Sequence, residues 1–419
     1  MMGTKMKKIS IQQLVKFGKT LFVTAIVAIP VGIYAQAESN SLSIEVENGA
    51  ATGGVTYIDS TLASGGKFAQ FNQTGGGEAD PYANIPSNFD TSVNGPYRSS
   101  GWTTGDSSSE PTGNFRVFCR FSHLGYYDPI LAPGNNQFMH LHMFFGNTQA
   151  NHQSTYSSLR SGGNSTCSGG PINRSAYWMP TLHDQNGDVV VPHLFIVYYK
   201  SEQSGPGTLA QRQQRLRSVV DFPNGFRYIG GRNPTTGQLY SPIEWKCEGG
   251  SGSGSTIPNS CPSGESLIGS VRFPHCWDGE NLWLPNNAHV GLGVNNSTWT
   301  ECDPNGPYPV YLPSLTEFAH FPSTSNMSNW YLSSDRMDPN PANWHQDGRS
   351  WHADWFGAWD NEIQSIWIEQ CLRGLRNSNA ALCDGSGLRD GQGYSGPNRI
   401  SGYTPLAPIY GNNGWPVGQ

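Results

Sequence analysis

Apolar and polar residues alternate with a period of two in most of the strongly patterned segments of the chain. Successive side chains of a strand point to opposite faces, so this pattern predicts strands that bury one face. The segments lie between Gly-, Pro- and Ser-rich turns and are 115–121 (FRVFCRF), 137–145 (QFMHLHMFF), 189–199 (VVVPHLFIVYY), 226–229 (FRYI), 267–273 (LIGSVRF) and 288–294 (AHVGLGV). The sequence therefore predicts a mainly β fold, with a β-sandwich or jelly-roll-like core and long Gly/Pro-rich loops.

Helical periodicity is convincing in one segment, 360–376, which follows Asp360 and Asn361 as N-cap residues. Its apolar residues recur at helical spacing and are Ile363, Ile366, Trp367 and Cys371. A second, shorter helix is predicted over 208–219. We expect one or two peripheral helices, the first packed on the core through Ile363, Ile366 and Trp367.

The first 37 residues have the features of a secretory signal peptide. Five lysines precede an apolar run from Leu21 to Tyr34, and Ala35-Gln36-Ala37 resembles a cleavage site. A membrane anchor is the alternative, but the run is shorter than the roughly 20 apolar residues that span a bilayer. Removal of the five lysines from 25 basic residues leaves 20 against 31 acidic residues, a net charge of −11.

This charge balance makes nucleic acid and anionic membranes poor partners, because an acidic surface repels phosphate. No membrane span is expected after signal cleavage, and the predicted location is extracellular or periplasmic.

Residues 38–75 resemble the opening of a β-sandwich carbohydrate-binding module and are predicted to form a β-extension. Residues 76–113 are Gly/Ser/Pro-rich and predict a linker or long loop. The main domain is predicted over 114–419.

Eight cysteines in an exported chain predict disulfide bonds. No C-x-x-C motif is present, which argues against a cysteine zinc site. Because short loops favour near neighbours, we expect a Cys371–Cys383 bond and pairings among four further residues, Cys247, Cys261, Cys276 and Cys302.

The segment 137–145 holds the most informative polar residues, His140 and His142. In a strand these two side chains share one face, where they can offer two ligands to one metal ion or two acid/base groups to a substrate. In 349–360, His352 and Asp354 share a face in the same way. His289 lies beside Gly291 and Gly293, a pattern that favours a cleft.

We therefore expect one pocket formed by His140, His142, His289, His352 and Asp354. Its histidines, His140, His142 and His289 in particular, are candidate ligands for a divalent metal ion, with metal-free acid/base catalysis and a structural polar network as alternatives. Candidate substrate-binding residues nearby are Asp278, Glu280, Trp351, Trp355 and Trp359.

The motif HLHMFFGN (140–147), preceded by Asp128-Pro129-Ile130 and Pro133-Gly134, resembles the signature of a family catalogued as domain of unknown function nineteen ninety-six. Further similar blocks follow in the same order, including FPHCWDGENL (273–282), Ala288-His289-Val290 and WHADWFGAWD (351–360). The similarity runs from about Phe115 to Cys371. The chain departs from the family at 284–287, where many members carry a charged stretch.

The resemblance implies a secreted or cell-surface protein of fungi and bacteria, in some members attached to cell-wall carbohydrate-binding modules, and it supplies no established reaction. Export, net acidity and 13 tryptophans suited to sugar stacking favour a secreted enzyme acting on a polysaccharide or cell-wall glycan, a glycoside hydrolase or a lyase. The alternatives are a non-catalytic carbohydrate- or wall-binding module and a metal-binding surface protein.

Overall fold

A computed structural model describes residues 113–137, 140–201, 207–296, 300–338, 340–376 and 383, together with the backbone of 55–59, 67–71, 399–400, 409–410 and 416–417. The chain divides into two compact units, Met1–Pro81 and Tyr82–Gln419. In the first unit, strands β1 (Val55–Asp59) and β2 (Lys67–Phe71) pair antiparallel. The predicted signal peptide and nearly all of the predicted linker lie outside the described residues.

The second unit is built on two five-stranded antiparallel sheets. The first sheet contains, in hydrogen-bonded order, β11 (Ile243–Cys247), β12 (Ser266–Arg272), β16 (Ser314–Pro322), β9 (Leu194–Ser201) and β3 (Gly113–Cys119). The second contains β10 (Arg227–Gly231), β18 (His352–Phe356), β6 (Ala176–Pro180), β5 (His142–Gly146) and β4 (Phe121–Gly125).

The two sheets pack face to face over one large hydrophobic core. Buried and half-buried residues alternate along β3 and β9, as expected for strands with one face in the core. Phe145 of the second sheet stacks on Phe195 of the first, with ring centroids 4.2 Å apart. The predicted mainly β, sandwich-like fold is confirmed.

The second sheet is buried on both faces, because every residue of β5, β6 and β18 is buried. A separate apolar cluster covers its outer face, with Phe144, Trp178 and Phe356 from the strands and Ile130 from the segment before β5. The segment that connects β4 to β5 therefore packs over this face, and it is here that the candidate site lies.

Short strands extend the sandwich at its ends. β17 (Tyr331–Leu332), β7 (Leu182–His183), β8 (Val189–Val190) and β19 (Arg399–Ile400) form one small sheet, and β14 (Val290–Gly291), β13 (Cys276–Trp277) and β15 (Val310–Tyr311) form another. The remaining pair is β20 (Ile409–Tyr410) with β21 (Pro416–Val417). Single 3₁₀ turns occur at Gly170–Ile172, Pro285–Asn287, Val294–Asn296, Ser333–Arg336 and Pro341–Asn343.

Three α-helices are described: α1 (Tyr156–Ser161), α2 (Leu209–Arg217) and α3 (Asn361–Trp367), which continues as a π-helix over Ile368–Arg373. The helices predicted over 208–219 and 360–376 are confirmed as α2 and α3. The Asp360 carboxylate caps α3 by accepting a hydrogen bond from the Ile363 amide at 3.3 Å. It also forms a buried ion pair with Arg160 at 3.2 Å.

Two predicted strands are shorter in the structure. The strand predicted over 137–145 begins only at His142, and 138–139 lie outside the described residues. The segment 288–294 is extended only at Val290–Gly291. A Cβ atom at Gly291 would lie 2.4 Å from the Tyr308 ring, so this glycine allows close packing; the expectation of open space beside it was wrong.

All eight cysteines form disulfide bonds: Cys119–Cys167, Cys247–Cys261, Cys276–Cys302 and Cys371–Cys383. The expected Cys371–Cys383 bond and the expected pairings among the four central cysteines are confirmed. Within the described part of the chain, no helix has the length and apolar character to cross a bilayer.

Candidate metal centre

Polar side chains meet on the outer face of the second sheet, in the region of β5 and β18. The strand between them is β6, in which Pro180 is the register partner of His142 and Trp178 is the register partner of Asp354. The antiparallel register thus brings residues more than 200 positions apart onto one face. The cluster consists of His140, His142, His352, Asp128 and Asp354.

His140 and His142 lie side by side, with ring centroids 4.2 Å apart. Nδ1 of His142 donates a hydrogen bond to the Tyr127 carbonyl at 3.0 Å, which fixes the ring and leaves Nε2 as the acceptor nitrogen. That Nε2 atom and both ring nitrogens of His140 are buried and have no hydrogen-bond partner among the described residues. His140 lies just before β5, so loop packing rather than strand geometry positions it.

His352 and Asp354 are two residues apart on β18 and therefore share a face. Nδ1 of His352 donates to the Ser350 carbonyl at 2.8 Å. The His352 ring lies 5.2 Å from that of His140, centroid to centroid. Within the described part of the chain, neither carboxylate oxygen of Asp354 has a hydrogen-bond partner, although both are buried.

Asp128 is a member of the cluster that the sequence reasoning did not select. Its Oδ1 atom accepts hydrogen bonds from the amides of Ile130 and Leu131, both at 2.8 Å, and Trp178 donates to Oδ2 at 3.4 Å. Asp128 belongs to the Asp-Pro-Ile motif, which could have drawn attention to it. However, a loop residue has no periodicity from which its contact with one face of a sheet could be predicted.

The ligand atoms form two overlapping groups. One nitrogen from each of His140, His142 and His352 lies within 4.8 Å of the others. One atom from each of Asp128, His142 and Asp354 satisfies the same limit. Imidazole and carboxylate groups at this density are the donor set of zinc-type sites.

Burial determines the protonation of the three histidines. Desolvation lowers the pKa of His142 to about 3 and that of His352 to about 4. It also holds the pKa of His140 well below its ordinary value, with a further contribution from the neighbouring imidazoles. All three rings are therefore neutral near pH 7, which is the form that binds metal ions.

The two carboxyl groups are affected in the opposite direction. Burial raises the pKa of Asp128 to about 6, while its backbone hydrogen bonds oppose the rise. The pKa of Asp354 is raised well above its ordinary value by burial and by the negative charges of Asp128 and Glu317. An ionised Asp354 therefore requires a compensating positive charge.

The cluster is nearly closed to solvent. His140 and His352 retain exposures of 5% and 4%, whereas His142 has none. His140 and His352 are therefore the most exposed members of the cluster, and Asp128 and Asp354 are each 1% exposed.

His289 lies outside the cluster, contrary to the expected five-residue pocket. Its Nδ1 atom accepts a hydrogen bond from the Leu284 amide at 3.3 Å, and Nε2 donates to the Arg227 carbonyl at 3.1 Å. Its ring packs against Phe226 and Trp283. With both nitrogens committed to the backbone, His289 links the start of β10 to the segment around Leu284 and has no free ligand atom.

The expected substrate-binding acids are also apart from the cluster. Asp278 organises a turn: Oδ1 accepts hydrogen bonds from the amides of Glu280 and Asn281, each at 2.9 Å. Glu280 is exposed at that turn. Neither residue belongs to the group of ligand atoms around His142.

The three tryptophans expected to stack on sugar, Trp351, Trp355 and Trp359, are each at most 2% exposed. Trp351 packs on Trp245 with ring centroids 4.6 Å apart, and Nε1 of Trp359 donates to the Tyr199 hydroxyl at 3.1 Å. They are parts of the core and present no face to a ligand in solvent.

A further group of potential ligand atoms contains His275, Cys276 and Cys302. The two sulfur atoms are joined in a disulfide bond, and a disulfide offers no thiolate to a metal ion. The histidine and aspartate cluster around His142 is therefore the stronger candidate.

Residues 128–359 match the family described as Domain of unknown function (DUF1996), over more than half of the chain. The chain belongs to this family. The DUF1996 match begins at Asp128 and ends at Trp359, so it contains the whole histidine and aspartate cluster. No curated protein and no solved structure matches the chain.

Proposed function

We propose that this DUF1996 protein is a secreted metal-dependent enzyme that acts on a polysaccharide, with a divalent transition-metal ion held by His140, His142 and His352. Imidazole nitrogens suit zinc, copper, iron and nickel. Three histidine ligands leave a coordination position open, as in catalytic zinc sites.

One observation carries the proposal. Unpaired, buried polar atoms of His140, His142 and Asp354 lie in two overlapping groups of potential ligand atoms that share His142, and each such atom has a desolvation cost without compensation. A cation held by the histidines would satisfy their nitrogen lone pairs, and its positive charge would offset an ionised Asp354. The hydrogen bonds from His142 to Tyr127 and from His352 to Ser350 support this reading, because such bonds orient metal-binding imidazoles.

The chemistry follows from the donor set. A zinc-type ion would supply Lewis acidity and lower the pKa of a bound water to near neutrality. Asp354 would accept or return the proton, since its carboxylate has no other partner among the described residues. Asp128 accepts backbone hydrogen bonds through Oδ1 and the Trp178 side-chain hydrogen bond through Oδ2. Its carboxylate would add negative charge near the ion.

The near-complete burial of the cluster favours a second candidate function. In this alternative the ion is structural and the protein is a non-catalytic secreted module, because structural metal sites are closed to solvent. The polysaccharide substrate itself is inferred from the predicted signal peptide and the module-like N-terminal segment.

An activity screen over a polysaccharide panel separates the two candidates. The wild-type protein should release reducing or unsaturated ends from one substrate, lose this activity with a chelator and regain it with added zinc. His352→Ala should be inactive while remaining folded, and His193→Ala, a change at an exposed histidine, should be active. A chelator-resistant activity, or a fully active His352→Ala variant, would contradict the catalytic proposal.

A further inference from the structure

A cavity of about 360 Å³ lies at the edge of the second sheet, after the end of β10. Several of its lining residues have polar side chains, namely Arg232, Ser255, Thr256, His345, Arg349 and Ser350. Its volume is within the range of small-molecule sites, about 300–1,000 Å³, and its lining offers hydrogen-bond donors rather than aromatic faces.

The cavity adjoins the candidate metal centre through its wall. The Ser350 carbonyl, which accepts the hydrogen bond from Nδ1 of His352, belongs to a lining residue. The Arg232 amide donates to the Trp351 carbonyl at 3.0 Å, so a second lining residue is attached to the same segment. Trp351 alone separates the lining residue Ser350 from the proposed ligand His352 in the chain.

Arg232 is a lining residue whose guanidinium group is not paired with an acid among the described residues. Its Nη1 group donates to the Gly237 carbonyl at 2.7 Å, while Nε is buried and has no partner within the described residues. No ion pair joins Arg232 to an acid in that part of the chain. Arg349 differs, because Nε and Nη2 of this residue are paired with Asp347 at 2.6–3.0 Å.

We propose that this cavity binds an acidic sugar unit of the polysaccharide substrate, with the sugar carboxylate on Arg232. A guanidinium group with free N–H donors recognises a carboxylate by parallel, charge-assisted hydrogen bonds. Ser255 and Thr256 supply further polar groups for sugar hydroxyls. The inference rests on the proposed function and narrows its substrate class to uronate-containing glycans.

Binding of uronate oligosaccharides tests the inference. Trimers of galacturonate, glucuronate and mannuronate would be titrated calorimetrically into wild-type protein, Arg232→Gln and Arg120→Gln. Arg120 is an exposed arginine next to β3, at the opposite edge of the first sheet from β11. At least one trimer should bind more tightly than its neutral counterpart, and Arg232→Gln should weaken that binding about tenfold or more.

Arg120→Gln should bind like the wild type, and Arg232→Lys should bind with intermediate affinity because it keeps the charge and loses the planar fork. Failure of all three uronate trimers to bind, or equal binding by folded Arg232→Gln, would overturn the inference. Metal analysis of the same wild-type sample tests the proposed function separately. If the protein binds uronate trimers but contains no metal, the proposed metal centre is wrong and the proposed uronate site stands. If it contains metal but binds no uronate trimer, the proposed uronate site is wrong and the metal centre stands.

Discussion

Glu317 is a carboxyl group buried in the sandwich core, on β16 between Val197 of β9 and Val271 of β12. It is 2% exposed, and neither of its carboxylate oxygens has a hydrogen-bond partner among the described residues. Burial raises the pKa of Glu317 well above its ordinary value of 4.5. The folded protein therefore retains this proton at pH values where the unfolded chain has lost it.

The raised pKa makes Glu317 a source of pH-dependent stability. Because the folded state binds the proton more tightly, its contribution is complete below about pH 4.5 and decreases as the pH rises, by about 1.4 kcal/mol per pH unit, up to the folded pKa. Glu317→Gln should raise the free energy of unfolding at pH 7 relative to the wild type, and this difference should disappear near pH 4.

Urea unfolding at a series of pH values measures this effect. Glu280→Gln, a change at an exposed residue, is the matched control and should follow the wild-type curve. A Glu317→Gln variant whose stability difference from the wild type is the same at pH 4 and pH 7 would show that folding does not raise the pKa of Glu317.

At the scale of elements, α3 is attached to the sandwich by Trp367. This side chain is 1% exposed, stacks on Phe115 with ring centroids 4.7 Å apart, and lies 4.8 Å from the ring of Tyr199. Trp367→Ala should therefore lower the free energy of unfolding by about 3–5 kcal/mol, since it removes a large buried ring and leaves a cavity.

Chemical denaturation of Trp367→Ala and of Glu362→Ala compares the buried and exposed faces of the same helix. The exposed Glu362 position should change stability by about 0.5 kcal/mol or less. Equal, small effects at both positions would mean that α3 does not pack on the core through Trp367.

Local sequence patterns predicted the elements that have strong periodicity. The 3.6-residue spacing of Ile363 and Trp367 identified α3, and the two-residue spacing of His352 and Asp354 placed both on one face of β18. Loop residues carry no such period. His140 reaches the cluster from outside β5, and Asp128 reaches it from a turn, so their positions depend on the packing of the β4–β5 connection.

His289 shows the opposite error. Two neighbouring glycines suggested an open cleft, but the partners of its ring are the backbone of Arg227 and Leu284. The contact with Arg227 joins segments 62 residues apart in the chain. A pattern confined to a few residues contains no information about such a long-range hydrogen bond. The local sequence therefore does not distinguish a histidine that binds two backbone groups from a histidine that binds a metal ion.

At the scale of the whole molecule, the two faces of the second sheet differ in what they contact. Its inner face completes the apolar core with the first sheet. Its outer face, covered by the β4–β5 connection, gathers the polar cluster. The four disulfide bonds cross-link the chain around this frame and so restrict its unfolded state. We propose that this polar cluster is a metal site.

Elemental analysis of purified, folded protein measures whether this site holds a metal ion. We expect one equivalent of a divalent transition metal per wild-type chain, and loss of that metal in His142→Ala with the fold verified by circular dichroism. His289→Ala should keep the metal and be less stable by about 1–3 kcal/mol, because it leaves backbone groups unpaired. Wild-type protein that takes up no stoichiometric metal when zinc, copper, iron or nickel is supplied, or a folded His142→Ala variant that retains its full equivalent, would contradict the account.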